Sequence, residues 1–283
     1  MPQDDPKTLV STQWLAQHLQ DPDLRVLDAS WYLPDARRDA KAEFASAHIP
    51  GARFFDIDEI TDQRSGLPHM APTPEKFASR MRAMGVGDGH QVVVYDGAGI
   101  YSAARVWWTF RLMGKIDVAV LDGGLPKWRS EGRETEESSP VIKDRHMTVN
   151  RQSQWVKDVT QVAHAAKLGE AVIVDARSSA RFKGEVAEPR PGLRSGHIPG
   201  SVNLPFAAVL NAAGTLKSPA DLRGVFEAAG VDLARPIITS CGSGVTAAVL
   251  SLALERLGHR DHTLYDGSWA EWGMYDDFPV QKG

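Results

Sequence analysis

Short apolar runs rich in β-branched residues alternate along the chain with segments of helical periodicity. In the second half, AVIVDA (171–176), PIITS (236–240) and HTLYDG (262–267) predict buried strands. SPADLRGVFEAAG (218–230), with a Ser cap and Pro in its first turn, and GVTAAVLSLALERLG (244–258) predict helices, each ended by a Gly. Strands that alternate with helices indicate an α/β fold, in which a mainly parallel sheet is flanked by helices.

The same pattern occurs twice in the chain. Four motifs recur in the same order, at separations of 144 to 149 residues. The pairs are RVLDAS (25–30) with VIVDARS (172–178), AHIPGARFFDI (47–57) with GHIPGSVNLPF (196–206), VVVYDGAGIYSAA (92–104) with IITSCGSGVTAAV (237–249), and VLDGGLPKWRSEG (120–132) with LYDGSWAEWGMYD (264–276). A period of this length indicates a duplicated domain rather than a solenoid of short repeats.

A polar segment without apolar periodicity separates the two copies. We therefore predict an N-terminal domain at 1–135, a linker at 136–155 and a C-terminal domain at 156–283. Each HIPG is expected to form a turn, because Pro restrains the residue that precedes it. His48 and His197, the histidines of these turns, are accordingly expected to be structural.

Composition narrows the function classes. The chain has 283 residues, of which 42% are hydrophobic and 24% charged, and these fractions are typical of a globular protein. A formal net charge of −4 argues against nucleic-acid binding, which needs a basic surface. No run reaches the roughly 18 apolar residues that cross a membrane. The beginning, MPQDDPKTLV, is polar and acidic rather than like a targeting sequence, so we expect a cytoplasmic location.

Cys241 is the only cysteine of the chain. An intramolecular disulfide is therefore impossible, and no metal or cofactor is expected. A lone cysteine is ordinarily a small buried hydrophobe, but this one closes a predicted strand and precedes a glycine-containing loop and a helix. Ligand sites of open α/β folds lie at that edge of the sheet. Backbone N–H groups and the helix N-terminus would stabilise a thiolate or a persulfide there, so we expect a reactive cysteine.

The N-terminal copy has Asp96 at the position aligned with Cys241. A carboxylate cannot carry sulfur, so the N-terminal domain is expected to be a non-catalytic copy. A cysteine phosphatase also uses a cysteine in a backbone cradle, but its chemistry needs an arginine six positions after the cysteine. That position is Ala247, which argues against a phosphatase.

These residues resemble the tandem rhodaneses, which are duplicated α/β domains with an inactive first copy and a six-residue loop opened by cysteine. Cys-Gly-Ser-Gly-Val-Thr (241–246) is similar to the mercaptopyruvate branch of that superfamily. The thiosulfate branch typically has two basic residues after the cysteine, whereas Gly242 and Ser243 are uncharged. DASWYLP (28–34), HIPGARFFDID (48–58) and YSAARVWW (101–108) extend the resemblance over nearly the whole chain.

The resemblance implies a fold of two tandem rhodanese-like domains and an activity that moves sulfur from 3-mercaptopyruvate to an acceptor thiol, with thioredoxin as one candidate, or to cyanide. Cys241 would carry the sulfur as a persulfide while pyruvate leaves. Ser243 would belong to a proton relay with His69 and Asp58. Arg181 and Arg190 match the arginines that bind the substrate in this family. The other expected binding residues belong to the cysteine loop: Gly242, Gly244, Val245 and Thr246.

Two alternatives stay open from the sequence. A thiosulfate:cyanide sulfurtransferase would use the same persulfide, although the uncharged loop argues against thiosulfate as the main donor. A non-enzymatic rhodanese-like binding module is the second alternative, and the presence of Cys241 together with the residues of the implied site argues against it.

Overall fold

The computed structural model describes residues 4–283, so the first three residues of the polar N-terminal segment lie outside the described residues. The chain divides into two compact units. The N-terminal unit comprises the described residues up to Thr61 together with Ala71–Gln152 and Ala212–Leu216. The C-terminal unit comprises Asp62–Met70, Ser153–Asn211 and Lys217–Gly283. The domain boundaries at 135 and 156 stay a prediction.

The N-terminal unit is a five-stranded sheet with helices around it. Its strands are β1 (Leu9–Val10), β2 (Leu24–Asp28), β3 (Arg53–Phe54), β4 (Gln91–Tyr95) and β5 (Val118–Leu121). Its helices are α1 (Thr12–His18), α2 (Ala40–Ser46), α3 (Pro74–Ala83), α4 (Ser102–Leu112) and α5 (Gly124–Ser130). The strand order is β1-β5-β4-β2-β3, and each of these neighbouring pairs is parallel.

The C-terminal unit repeats this architecture. Its strands are β6 (Val156–Lys157), β7 (Val172–Asp175), β8 (Val202–Asn203), β9 (Ile237–Ser240) and β10 (His262–Tyr265). Its helices are α6 (Val159–Leu168), α7 (Ser179–Lys183), α8 (Pro219–Ala228), α9 (Ala247–Leu257) and α10 (Ser268–Trp272). The order β6-β10-β9-β7-β8 corresponds strand for strand to that of the first sheet, again with parallel neighbours. The predicted α/β class and the duplication are both confirmed.

Local chemistry explains where the helices of the C-terminal unit begin. The side chain of Ser218 accepts a hydrogen bond from the backbone N–H of Asp221 and caps α8, as its sequence predicts. Helix α9 begins at Ala247, three residues later than the predicted start at Gly244. Gly244 has a φ of +78°, which no right-handed helix accommodates, so the helix cannot include Gly244.

The two HIPG turns hold later segments of their own units. His48 exchanges both backbone hydrogen bonds with Glu136, and His197 does the same with Gln281. Both imidazoles are buried, and each has a ring nitrogen within hydrogen-bond distance of a backbone carbonyl, that of Phe44 and that of Phe182 respectively. The structural role predicted for these histidines is confirmed. Among the described residues, no helix is long and apolar enough to span a membrane.

Candidate active site

Cys241 follows the last residue of β9, at the carboxyl end of the parallel sheet, as the sequence predicts. It is 2% exposed. Its backbone N–H donates to Ser268 Oγ at 3.2 Å, and that hydroxyl donates to the carbonyl of Tyr265 at 2.8 Å. The N–H of Trp269 donates to the Cys241 carbonyl at 3.0 Å. The beginning of α10 therefore fixes the backbone of the cysteine on both sides of its Cα atom.

His69 and Ser243 form a buried pair beside the cysteine. The His69 Nδ1 atom lies 2.9 Å from Ser243 Oγ, and both residues are only 6% exposed. The two residues are 174 positions apart in sequence, but residues 62–70 belong to the C-terminal unit. His69 has a φ of +61°, a left-handed conformation that is uncommon for a residue with a Cβ atom. Such strained residues concentrate at functional sites.

Arg181 is held by a buried carboxylate. Its Nε and Nη2 atoms donate to the two oxygens of Glu188, at 3.2 and 2.5 Å. Glu188 also accepts from Arg177 at 2.9 Å, and Arg177 is in turn paired with Asp175. The side chain of Glu188 is 1% exposed, whereas that of Arg181 is 21% exposed. This network orients the guanidinium of Arg181 while leaving part of it accessible.

Arg181 also lies against the cysteine loop. A Cβ atom placed on Gly242 would come within 2.9 Å of Arg181 Nη2, which is closer than real Cβ contacts allow. A residue with a side chain at this position would therefore displace the guanidinium. The uncharged glycine that the sequence shows after the cysteine is the residue that lets Arg181 approach the loop backbone.

The remaining predicted residues are distributed over both units. In the C-terminal unit, Gly244 and Val245 are buried, Thr246 is half-buried, and Arg190 is half-buried in the loop that also carries Glu188. Asp58 belongs to the N-terminal unit, where it is exposed and accepts a hydrogen bond from Trp31 Nε1 at 3.0 Å. Its predicted part in the relay stays a prediction.

Sequence reasoning missed two residues that shape this site. Glu188 holds Arg181. The one feature of the sequence that could have pointed to Glu188 is its place two residues before Arg190 in AEPRPG. Ser268 anchors the cysteine backbone and has a φ of +50°, but nothing in DGSWAEW marks it as different from an ordinary helix-start serine.

The aligned loop of the N-terminal unit shows what this loop geometry can hold. Asp96, at the cysteine position, is completely buried and accepts the backbone N–H groups of Ala98, Tyr101 and Ala103 at 2.9, 2.8 and 2.8 Å. Burial raises the pKa of this carboxyl above its usual value, although these hydrogen bonds favour the charged form. One copy of the loop thus surrounds a side-chain carboxyl with backbone donors.

Asp96→Ala is expected to destabilise the N-terminal unit by about 3 kcal/mol, because three backbone N–H groups lose the buried carboxyl that accepts from them. Thermal unfolding beside exposed Asp144→Ala, which should change little, measures this effect. The pKa of Asp96 is higher in the folded state than in the unfolded state. The contribution of this carboxyl to the free energy of unfolding is therefore complete at pH values below its pKa in the unfolded state, and it falls as the pH rises through its pKa in the folded state. The stability gap between wild type and variant should therefore narrow with rising pH, and a gap that widens would contradict the assignment.

The two α/β units, with their aligned loops at Asp96 and Cys241, define a class of protein. The chain belongs to the rhodanese-like domain family, whose model, described as "Rhodanese-like domain", matches residues 11–131 and 158–275.

Particular relatives narrow this class. The chain is 44% identical to "Thiosulfate/3-mercaptopyruvate sulfurtransferase 1, mitochondrial" of Arabidopsis thaliana, over 97% of this chain and 78% of the relative. It is 43% identical to the 3-mercaptopyruvate sulfurtransferase of Escherichia coli (strain K12), over 96% of this chain and 97% of that protein. The crystal structure of SseA from Escherichia coli has a TM-score of 0.85 and 41% identity, covering 93% of this chain and 99% of that one. These relatives confirm the prediction that the chain is a tandem rhodanese of the mercaptopyruvate branch and a sulfurtransferase.

Proposed function

We propose that this protein transfers sulfur from 3-mercaptopyruvate to an acceptor in two steps, through a persulfide on Cys241. In the first step the thiolate attacks the substrate sulfur, a new S–S bond forms, and the C–S bond breaks with its electron pair on carbon. The enolate of pyruvate leaves and takes up a proton. In the second step an acceptor thiolate or cyanide attacks the outer sulfur and returns Cys241 as a thiolate. No external oxidant or reductant is needed.

The observation that carries this proposal is the hydrogen bond between His69 and Ser243. An enolate is a poor leaving group unless it is stabilised and protonated, and a hydroxyl backed by an imidazole supplies both. Sulfite, which leaves from thiosulfate, is a stable anion that needs no proton in this step. The pair therefore favours 3-mercaptopyruvate over thiosulfate as the main donor. Asp58, as the third member of the relay, is part of the proposal on the strength of the family resemblance.

Arg181 and Arg190 are proposed to bind the carboxylate and the ketone oxygen of the substrate. Within the described part of the chain, the hydrogen bonds of Arg181 use Nε and Nη2, which leaves Nη1 for a carboxylate oxygen. The loop residues Gly242, Gly244, Val245 and Thr246 complete the binding site in this proposal. Arginine suits this role because its charge does not titrate and its planar donors match a carboxylate.

The proposal also includes the acceptor of the sulfur and the cellular location of the protein. A thiol, with thioredoxin as a protein example, or cyanide would take the sulfur, because each is a nucleophile able to attack a persulfide. A cytoplasmic location is part of the proposal, although the Arabidopsis thaliana relative is named as mitochondrial.

Steady-state transfer with 3-mercaptopyruvate and with thiosulfate, measured side by side with cyanide as acceptor, tests the proposal. A higher kcat/KM for 3-mercaptopyruvate, with one pyruvate released per sulfur transferred, is the expected result. A preference for thiosulfate would keep the persulfide and overturn the donor. Inactivity with both donors would instead favour a binding module without catalysis.

Ser243→Ala is expected to slow pyruvate release about 100-fold, because proton transfer by a positioned group typically contributes 10²–10⁴-fold. Thiosulfate turnover should fall much less, since sulfite leaves without a proton. Single-turnover pyruvate formation measures the first step, and the matched control is Ser240→Ala, at a buried position three residues earlier at the end of β9. Equal losses with both donors would show that Ser243 acts on the loop structure rather than on the leaving group.

A further inference from the structure

The C-terminal unit contains a cavity that the proposed sulfur transfer does not use. Its volume is about 590 Å³, and it lies between α6 and the amino-terminal ends of β7, β9 and β10, at the edge of the sheet opposite the candidate active site. Gln161, Ala165, Ala171, Ile238 and Thr263 are among its lining residues. Cavities of several hundred Å³ that combine apolar walls with a few polar groups are typical sites for small molecules.

Thr263 lines this cavity and carries a buried polar atom. The residue is 8% exposed, and its Oγ1 atom is buried without a hydrogen-bond partner among the described residues. Alternation along β10 directs Thr263 to the same face as Tyr265, which packs with Ile238 and Ala165 in the core beneath α6. A buried hydroxyl without a partner is unfavourable, so native structures ordinarily satisfy such a group. A rotation of the Thr263 side chain about χ1 would present this hydroxyl to a ligand in the cavity, and the ligand would then provide the missing partner.

The duplicated N-terminal unit shows which shape fills the equivalent space. Helices α1 and α6 are in the same register, because Ser11 and Asp158 each cap the backbone N–H three residues later. The strands β5 and β10 are aligned by the repeated Asp-Gly that follows each of them. The larger residues of the first copy are replaced as follows: Trp14 by Gln161, His18 by Ala165, Leu19 by Ala166 and Leu24 by Ala171.

In the N-terminal unit the two aromatic rings of this set occupy the space over the sheet. Trp14 and His18 are stacked, with ring centroids 4.0 Å apart and planes within 15° of parallel. Trp14 packs against the core cluster that includes Leu24 and Ala119. The C-terminal unit has no aromatic side chain at these two aligned positions, and the residue aligned with Ala119 is Thr263, which lines the cavity.

From these two observations we propose that the cavity is a second, non-catalytic ligand site, for a small planar aromatic compound that carries one hydrogen-bonding atom. The ring takes the place that Trp14 and His18 fill in the other copy, and the polar atom pairs with Thr263 Oγ1. This assignment does not depend on sulfur transfer, since the cavity lies at the amino ends of the strands and the cysteine follows the carboxyl end of β9.

Indole is the test probe, because it reproduces the Trp14 ring and carries one N–H donor. Calorimetry and ligand-observed NMR on the full-length protein should show saturable binding in the millimolar range or tighter. Gln161→Trp, which restores the residue of the first copy, should abolish this binding and leave sulfur transfer unchanged. Gln20→Trp, which adds the same ring at an exposed position after α1, is the matched control and should bind indole like wild type.

Thr263→Val tests the polar contact with an almost unchanged volume, and it should weaken indole binding about 5-fold. Cyclohexanol, which has a hydroxyl on a non-planar ring, should bind more weakly than indole. Absence of saturable indole binding to wild type would overturn the proposal, as would undiminished binding to a folded Gln161→Trp variant. Equal binding of cyclohexanol would overturn the aromatic class of ligand. None of these outcomes depends on which sulfur donor the enzyme prefers.

Discussion

Cys241→Ser is expected to reduce sulfur transfer to the uncatalysed level with every donor. A serine hydroxyl cannot form a persulfide, so neither step of the proposed cycle can take place. The loss should exceed about 10⁴-fold, which is larger than the effect of removing any proton donor or binding group. Incubation with 3-mercaptopyruvate followed by mass spectrometry should show one added sulfur on the wild type and none on the variant.

The same variant separates chemistry from folding. Cys241 is buried, but serine is close to it in size, and the backbone hydrogen bonds to Ser268 and from Trp269 involve no atom of its side chain. Unfolding temperature and circular dichroism should therefore change little. Residual turnover above a few per cent of wild type, in a preparation free of wild-type protein, would contradict the assignment of Cys241 as the sulfur carrier.

The duplication and the position of Cys241 could be predicted because both depend on patterns within short segments of the sequence. Strand-forming runs, capped helices and the repeated Asp-Gly and HIPG turns each depend on residues close in sequence. The helix start at Gly244 was predicted wrongly for a related reason. Apolar periodicity continues into the cysteine loop, whereas the positive φ of Gly244 and the observed helix start at Ala247 agree with the six-residue loop, 241–246, that the family resemblance implies.

The site itself depends on contacts that local patterns do not record. His69 lies in a polar stretch, and nothing in PHM indicates that residues 62–70 belong to the C-terminal unit. Its place beside Ser243 follows from tertiary packing across 174 residues, and only the family resemblance pointed to it. Glu188 was missed because a single acidic residue in a loop is ordinarily solvated. Its burial between two arginines is visible only in the structure.

Glu188→Ala is expected to raise the KM for 3-mercaptopyruvate about 10-fold while kcat changes by less than a factor of three. The carboxylate holds Arg181 through two hydrogen bonds, and without it the guanidinium loses the orientation that places it against Gly242. A tenfold loss corresponds to about 1.4 kcal/mol, which is reasonable for one misplaced binding group. Glu188 thus acts through Arg181 as a positioning residue.

A structural effect accompanies this change and has to be measured separately. Removal of Glu188 leaves Arg177 with Asp175 as its remaining carboxylate partner. Breaking a buried ion pair ordinarily costs 3–5 kcal/mol, but here one pair survives and Arg181 can reach water, so we expect a loss of about 2 kcal/mol. Glu188→Gln keeps an acceptor for Arg181 and should recover much of the affinity, whereas exposed Glu185→Ala should match wild type in both measurements. If a folded Glu188→Ala variant kept the wild-type KM, Arg181 would be oriented by its contact with the loop alone.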